Sequence, residues 1–88
     1  MSAPDSVNWD AVAAARSSKR RKQTIEALLE GPKYAGEIAD DLGTSRGTIS
    51  NHLHWLKRQG LAECITPDRP HHRLYALTDE GADVAEHV

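Results

Sequence analysis

Between Gly43 and Gly60 the chain carries one uninterrupted helical pattern: Ile49, Leu53 and Leu56 recur at i, i+4 and i+7 through the run Arg46 to Gln59, and Ser45 stands where an N-cap belongs. At about 100° per residue, Leu53 and Leu56 fall within about 40° of Ile49, so one narrow side of this helix is core. The opposite side collects Gly47, Asn51, His54 and Arg58, flanked by Thr48 and Trp55, with Ser50 and Arg46 nearer the core edge. A chain of 88 residues has room for a single small core. This helix must pack into it while leaving its small and hydrogen-bonding face in solvent.

The flanking segments say what it packs with. Upstream, a short helix is expected over Tyr34 to Leu42, with Ala35, Ile38, Ala39 and Leu42 as its apolar stripe. Gly43 ends it, since glycine accepts the positive φ of a tight turn between two helices. Before that, Lys19 to Glu30 places Ile25, Leu28 and Leu29 at helical spacing and stops at Gly31-Pro32. Asn8 is a plausible N-cap for a helix carrying Trp9 and Val12 to Arg16, and Ser17-Ser18 either break it or cap the next one. Residues 1–7 read as a frayed terminus ahead of a single domain over 8–88.

Downstream, Leu61 to Ile65 and Leu74 to Leu77 read as two strands joined by a Pro-punctuated loop, Thr66 to Arg73. Thr78 caps a last helix with acids Asp79 and Glu80 in its first turn, where the helix dipole favours them, and Ala82, Val84, Ala85 and Val88 as its apolar face. Two short helices joined by a Gly-containing turn, followed by a β-hairpin, are the order of a helix-turn-helix with a wing. The expected fold is α+β, mainly α: a winged helix-turn-helix with a three-helix core, a two-stranded hairpin wing and flanking terminal helices.

The stretch EIADDLGTSRGTISNHLHWLKRQGLAE, Glu37 to Glu63, resembles the winged helix-turn-helix regulators of the MarR and ArsR type, and the resemblance continues through LYALTDEG. It covers roughly Thr24 to Gly81. It implies a transcriptional regulator without catalytic activity, mostly a repressor, that binds palindromic double-stranded DNA as a homodimer.

The residues suit that role on their own chemistry. A helix enters the major groove only if its exposed face is narrow and carries donors and acceptors for base edges. Asn51 can pair with adenine N6 and N7, Arg46 with guanine O6 and N7, and Thr48 with a thymine methyl, while Gly47 admits close backbone approach. These four are the candidate base readers. Lys33, Tyr34, Ser45, Ser50, His54 and Arg58 are candidates for backbone or flanking contacts, as are Arg69, His71 and Arg73 in the wing.

Net charge, at −2, argues for no indiscriminate polycation, but its distribution is segregated. Acids gather at Glu37, Asp40 and Asp41 and again at Asp79 to Glu86. Bases gather at Arg16 to Lys22, at Lys57-Arg58, and at Arg69 with Arg73. The block Lys19 to Lys22 reads as either a solvated helix face or a DNA contact. Trp55, on the exposed side, is left with three partners: the wing, a second subunit or DNA sugars. A dimer would use the first helix with Trp9 and Val12, the last helix, or both.

Other functions find little support. Cys64 is the single cysteine, which excludes an intrachain disulfide and a Cys-rich zinc finger. His52 and His54 point about 200° apart on a helix and His71-His72 are adjacent in a loop, so a metal-gated repressor is a distant alternative and no metal or other cofactor is expected. No nucleophile-and-base constellation suggests an enzyme. A winged helix serving as a protein-interaction module is the alternative of another class. No apolar run approaches the ~20 residues of a membrane span, and the N-terminus lacks a signal-peptide pattern, so the expected location is the cytoplasm.

Overall fold

The computed structural model describes residues 7–66, 68–69 and 73–88. In chain order it contains α1 (Trp9–Arg16), α2 (Lys19–Leu29), β1 (Lys33–Tyr34), α3 (Ala35–Leu42), α4 (Arg46–Arg58), β2 (Ala62–Cys64), β3 (Leu74–Leu77) and α5 (Asp79–Ala85). Most of the expected caps form. Asn8 Oδ1 accepts from the Ala11 N–H at 3.0 Å, Ser18 Oγ from Arg21 at 3.3 Å, Ser45 Oγ from Thr48 at 3.1 Å and Thr78 Oγ1 from Gly81 at 3.0 Å. Each satisfies an amide that a helix start would otherwise leave open, a contribution of ~1 kcal/mol apiece. Gly43 takes φ 67° and ψ 36°, and beyond it the Thr44 N–H donates to the Ala39 carbonyl at 3.0 Å, closing the turn between α3 and α4.

Ile25 and Leu28 of α2, Ile38 of α3, Ile49, Leu53 and Leu56 of α4, Leu61 and Val84 meet in one core, each at most 3% exposed. At about 1.5–3 kcal/mol per buried aliphatic side chain, these eight dominate what holds the three central helices together. The stripe expected of α4 is the one observed. Thr24 is also fully buried, which its polar side chain did not announce; its hydroxyl satisfies itself by donating to the Arg20 carbonyl at 2.8 Å.

Several expectations are corrected. The sheet has three strands in the order β1-β3-β2, not two: Lys33 and Tyr34 pair antiparallel with Tyr75 and Leu74. Tyr34 is the extended N-cap of α3 rather than its first helical residue, and a two-residue strand is too short to leave a periodic signal. Leu29, expected in the core, is 49% exposed because it ends α2 on the core's rim. Val12 is 3% exposed and packed inside, so it is not available to a partner subunit. Val7, grouped by sequence with the terminus, is half-buried against the core; residues 1–6 lie outside the described residues.

The last helix is fastened to the start of β2. The Thr78 hydroxyl donates to the Gly60 carbonyl at 2.7 Å and the Thr78 N–H to the Leu61 carbonyl at 3.0 Å. Gly81 is buried directly against Leu61, where a Cβ would overlap the carbonyl oxygen.

Candidate nucleic-acid interface

Because Ile49, Leu53 and Leu56 anchor α4 on one side, the opposite side is presented outward: Gly47, Asn51, His54 and Arg58 are all exposed, and so is Arg46 at the helix start. Thr48 and Ser50 are half-buried at the flanks. The Ser45 and Thr48 hydroxyls lie 2.8 Å apart and share a hydrogen bond. Lys57 and Arg58 occupy the last turn, where cations suit the helix dipole.

Alongside α4 runs an open cleft of about 540 Å³ between α3, α4 and β3. It brings together five of the residues singled out by sequence: Tyr34, Arg46, Ser50, His54 and Arg73. It does not include Gly47, Asn51 or Arg58, which are exposed beyond it, or the half-buried Thr48. The cleft also holds Glu37 and Asp40, two acids of α3 that a helical wheel of α4 alone cannot reveal. Glu37 is engaged locally, its Oε1 accepting the Tyr34 N–H at 2.9 Å. Gly36 lies in the same wall, and its signal was legible as a glycine inside a helical stripe with no turn to serve.

The remaining candidates are spread. Lys33 sits in β1, its Nζ 3.3 Å from Glu30 Oε1 in an ion pair and its side chain only 19% exposed. In the wing, Leu74 N–H donates to Thr66 Oγ1 at 2.9 Å, and Arg73 Nε donates to the Arg69 carbonyl at 2.7 Å. The two wing arginines are thus tied to each other across the loop. His71 lies outside the described residues.

Within the chain, Trp55 meets α2 and the core. It is half-buried against the core, and the Arg21 guanidinium lies over its ring, 4.0 Å from the centroid. Two residues of the basic block, Arg20 and Arg21, are likewise built into the fold. Arg21 Nη1 donates to the Ala14 carbonyl at 2.8 Å, and Arg20 Nη1 to the Leu42 carbonyl and Gln23 Oε1, both at 3.1 Å. Burial first, then the charges of Arg21 and Arg20, lowers the pKa of His52 below its ordinary 6.5. Among the described residues no three His, Cys, Asp or Glu side chains converge as metal ligands, and no helix is long and apolar enough to cross a membrane.

This arrangement of helix-turn-helix, wing and outward polar face has known counterparts. The family model of "Bacterial regulatory protein, arsR family" matches residues 18–63, more than half of the chain. The chain belongs to the ArsR family. Its ArsR relatives are DNA-binding transcriptional regulators, a non-enzymatic class. The HTH-type transcriptional regulator Rv2034 of Mycobacterium tuberculosis is 39% identical over 75 residues, 83% of this chain and 63% of the relative. The transcriptional activator HlyU of Vibrio cholerae is 38% identical over 47 residues, 53% of this chain and 44% of its own length.

The reduced HlyU structure superposes on this ArsR chain with a TM-score of 0.70 at 29% identity, covering 88% of this chain and 84% of that one. A homodimeric winged helix-turn-helix DNA-binding domain of Mycobacterium bovis, Mb0332, gives a TM-score of 0.66 at 31% identity, covering 85% and 66%. The chain therefore spans between 44% and 63% of the two curated relatives, Rv2034 and HlyU.

Proposed function

We propose that this ArsR-family chain acts in the cytoplasm as a homodimeric, sequence-specific regulator of transcription, with α4 in the major groove of double-stranded DNA and the wing on the flanking backbone or minor groove. The observation that carries this reading is the exposed face of α4. Gly47, Asn51, His54 and Arg58 lie outward on a helix whose other side is fully buried, and no acid of α4 interrupts them. Arg46, Gly47, Thr48 and Asn51 read bases. Tyr34, Ser45, Ser50, His54, Arg58, Arg69, His71 and Arg73 contact phosphates or flanking sugars. Lys33, paired with Glu30, contributes at most at the rim of the contact.

The homodimeric Mb0332 domain supports a two-fold assembly with half-sites about one helical turn, ~34–36 Å, apart. The exposed Trp9 ring of α1, its centroid 4.9 Å from that of the His87 ring beyond α5 and tilted 54° to it, gives the terminal helices an apolar edge for it. Repression by promoter occupancy is the simplest action of such a dimer. HlyU is an activator on the same fold, so the position of the footprint relative to the promoter decides the sign.

The test is binding to a fluorescent duplex from the chain's own upstream region against a scrambled duplex, across a salt series. Sub-micromolar, selective binding with a steep salt slope is expected. Equal and weak binding of both duplexes at physiological salt would remove the DNA-reading function and leave a protein-interaction module in its place.

A further inference from the structure

Gly36 occupies the first turn of α3, and its backbone does not call for glycine: the glycines of positive φ are Gly31, Gly43 and Gly60. Within a helix, glycine weakens the fold relative to alanine, because it gives up more chain freedom on folding. The place its side chain would take is occupied from one direction. A Cβ at position 36 would stand 3.3 Å from Nε and from Nη2 of Arg46 and 3.7 Å from Cζ, and these nearest atoms all belong to one guanidinium. Arg46 is the first residue of α4. Its charged end therefore lies beside the space that a side chain at position 36 would enter, in the cleft between the two helices.

We propose that Gly36 is a positioning residue for DNA recognition: by leaving its Cβ space empty it sets the direction in which the Arg46 side chain leaves the start of α4, and thereby the base pair that the guanidinium reads. The inference rests on the DNA-reading function proposed above and adds a residue of the neighbouring helix to it. A bidentate contact from arginine to guanine O6 and N7 needs both N–H groups within about 3 Å and well aligned. Any side chain at position 36 displaces the guanidinium by a few tenths of an ångström or forces another rotamer, and the pairing is steep enough to register that. Gly36 itself touches no DNA in this account.

A positioning role and a structural role predict opposite signs. The wild-type chain first selects a preferred duplex from a randomised pool; wild type, Gly36→Ala, Arg46→Ala and the double variant are then compared on that duplex and its single-base-pair variants by fluorescence anisotropy, with thermal melts of each. Gly36→Ala is expected to lose about tenfold of its discrimination at the base pair where Arg46→Ala loses it, and at no other. The double variant should bind as Arg46→Ala does. With the guanidinium gone, Gly36→Ala should raise the melting temperature, since alanine is the better helix former.

Discrimination by Gly36→Ala equal to wild type, a loss at a different base pair from Arg46→Ala, or a lowered melting temperature in the Arg46→Ala background would each overturn the proposal. A wild-type chain that selects no sequence from the pool defeats the DNA-reading function as well, and that failure is distinguished by appearing before any variant is compared.

Discussion

The Arg21 guanidinium carbon stands 4.0 Å from the centre of the Trp55 ring, so α2 and α4 are joined by a cation on an aromatic face as well as by apolar packing. The same arginine donates to the Ala14 carbonyl in α1, and one side chain thereby links three helices. Arg21→Ala and Trp55→Ala should each destabilise the fold, and a double-mutant cycle by urea unfolding should show a coupling of about 0.5–1 kcal/mol. Additive losses would mean that the two side chains act separately.

His52 faces this cationic seam from α4, and its pKa is held below 6.5 by burial, Arg21 and Arg20. The unfolded chain therefore takes up the proton first. Well above 6.5 both states are neutral at this site and it has no effect on stability; as pH falls through 6.5 toward the folded-state value, the folded chain loses stability. Urea midpoints from about pH 8 to about pH 5 should decline more for wild type than for His52→Gln. Identical slopes would show that the other histidines carry the acid sensitivity.

Gly81 and Gly47 should behave oppositely to the same change. A Cβ at Gly81 would overlap the Leu61 carbonyl, whereas one at Gly47 has nothing within 4 Å. Gly81→Ala should cost about 3 kcal/mol or more, a large share of a small domain's stability, and lower the melting temperature sharply. Gly47→Ala should stabilise the isolated protein by up to ~1 kcal/mol while weakening DNA binding, because the added methyl would face the duplex in the proposed complex. A Gly47→Ala chain with undiminished DNA affinity would place that face away from the bases.

On the DNA side, Asn51→Ala should lose ~1–3 kcal/mol of preference at one base pair, and Arg58→Ala should weaken all duplexes about equally while reducing the salt slope by roughly 1. Neither should shift the unfolding midpoint appreciably, since both side chains are exposed. Loss of selectivity in Arg58→Ala, without a change of slope, would exchange the two roles.

At the start of α4, Ser45→Ala removes the acceptor for the Thr48 N–H and should cost ~1 kcal/mol of stability in chemical unfolding. A neutral outcome would mean that water or the Thr48 hydroxyl replaces the cap.

Much of this frame is legible in single residues. Asn8, Ser45 and Thr78 announce helix starts because short polar side chains satisfy open amides, and the Ile49, Leu53, Leu56 spacing fixes which side of α4 faces out. What the sequence conceals arises between elements. The strand at Lys33-Tyr34 exists only through its pairing with β3, and the acids of the cleft come from α3. Trp55 reads as exposed on its own helix and is covered by an arginine of another. Arg20 and Arg21 read as surface charge, yet their long side chains reach carbonyls 22 and 7 positions away in sequence.

The fastening of Thr78 and Gly81 onto Gly60 and Leu61 has a mechanical meaning. The end of α4 and the beginning of α5 are clamped with no slack between them, so the two helices turn together like the blade and handle of one tool. In the dimer proposed above, a second subunit gripping α5 would thereby set the angle at which α4 is offered to a groove, and the distance between two such blades would be decided away from the residues proposed to read.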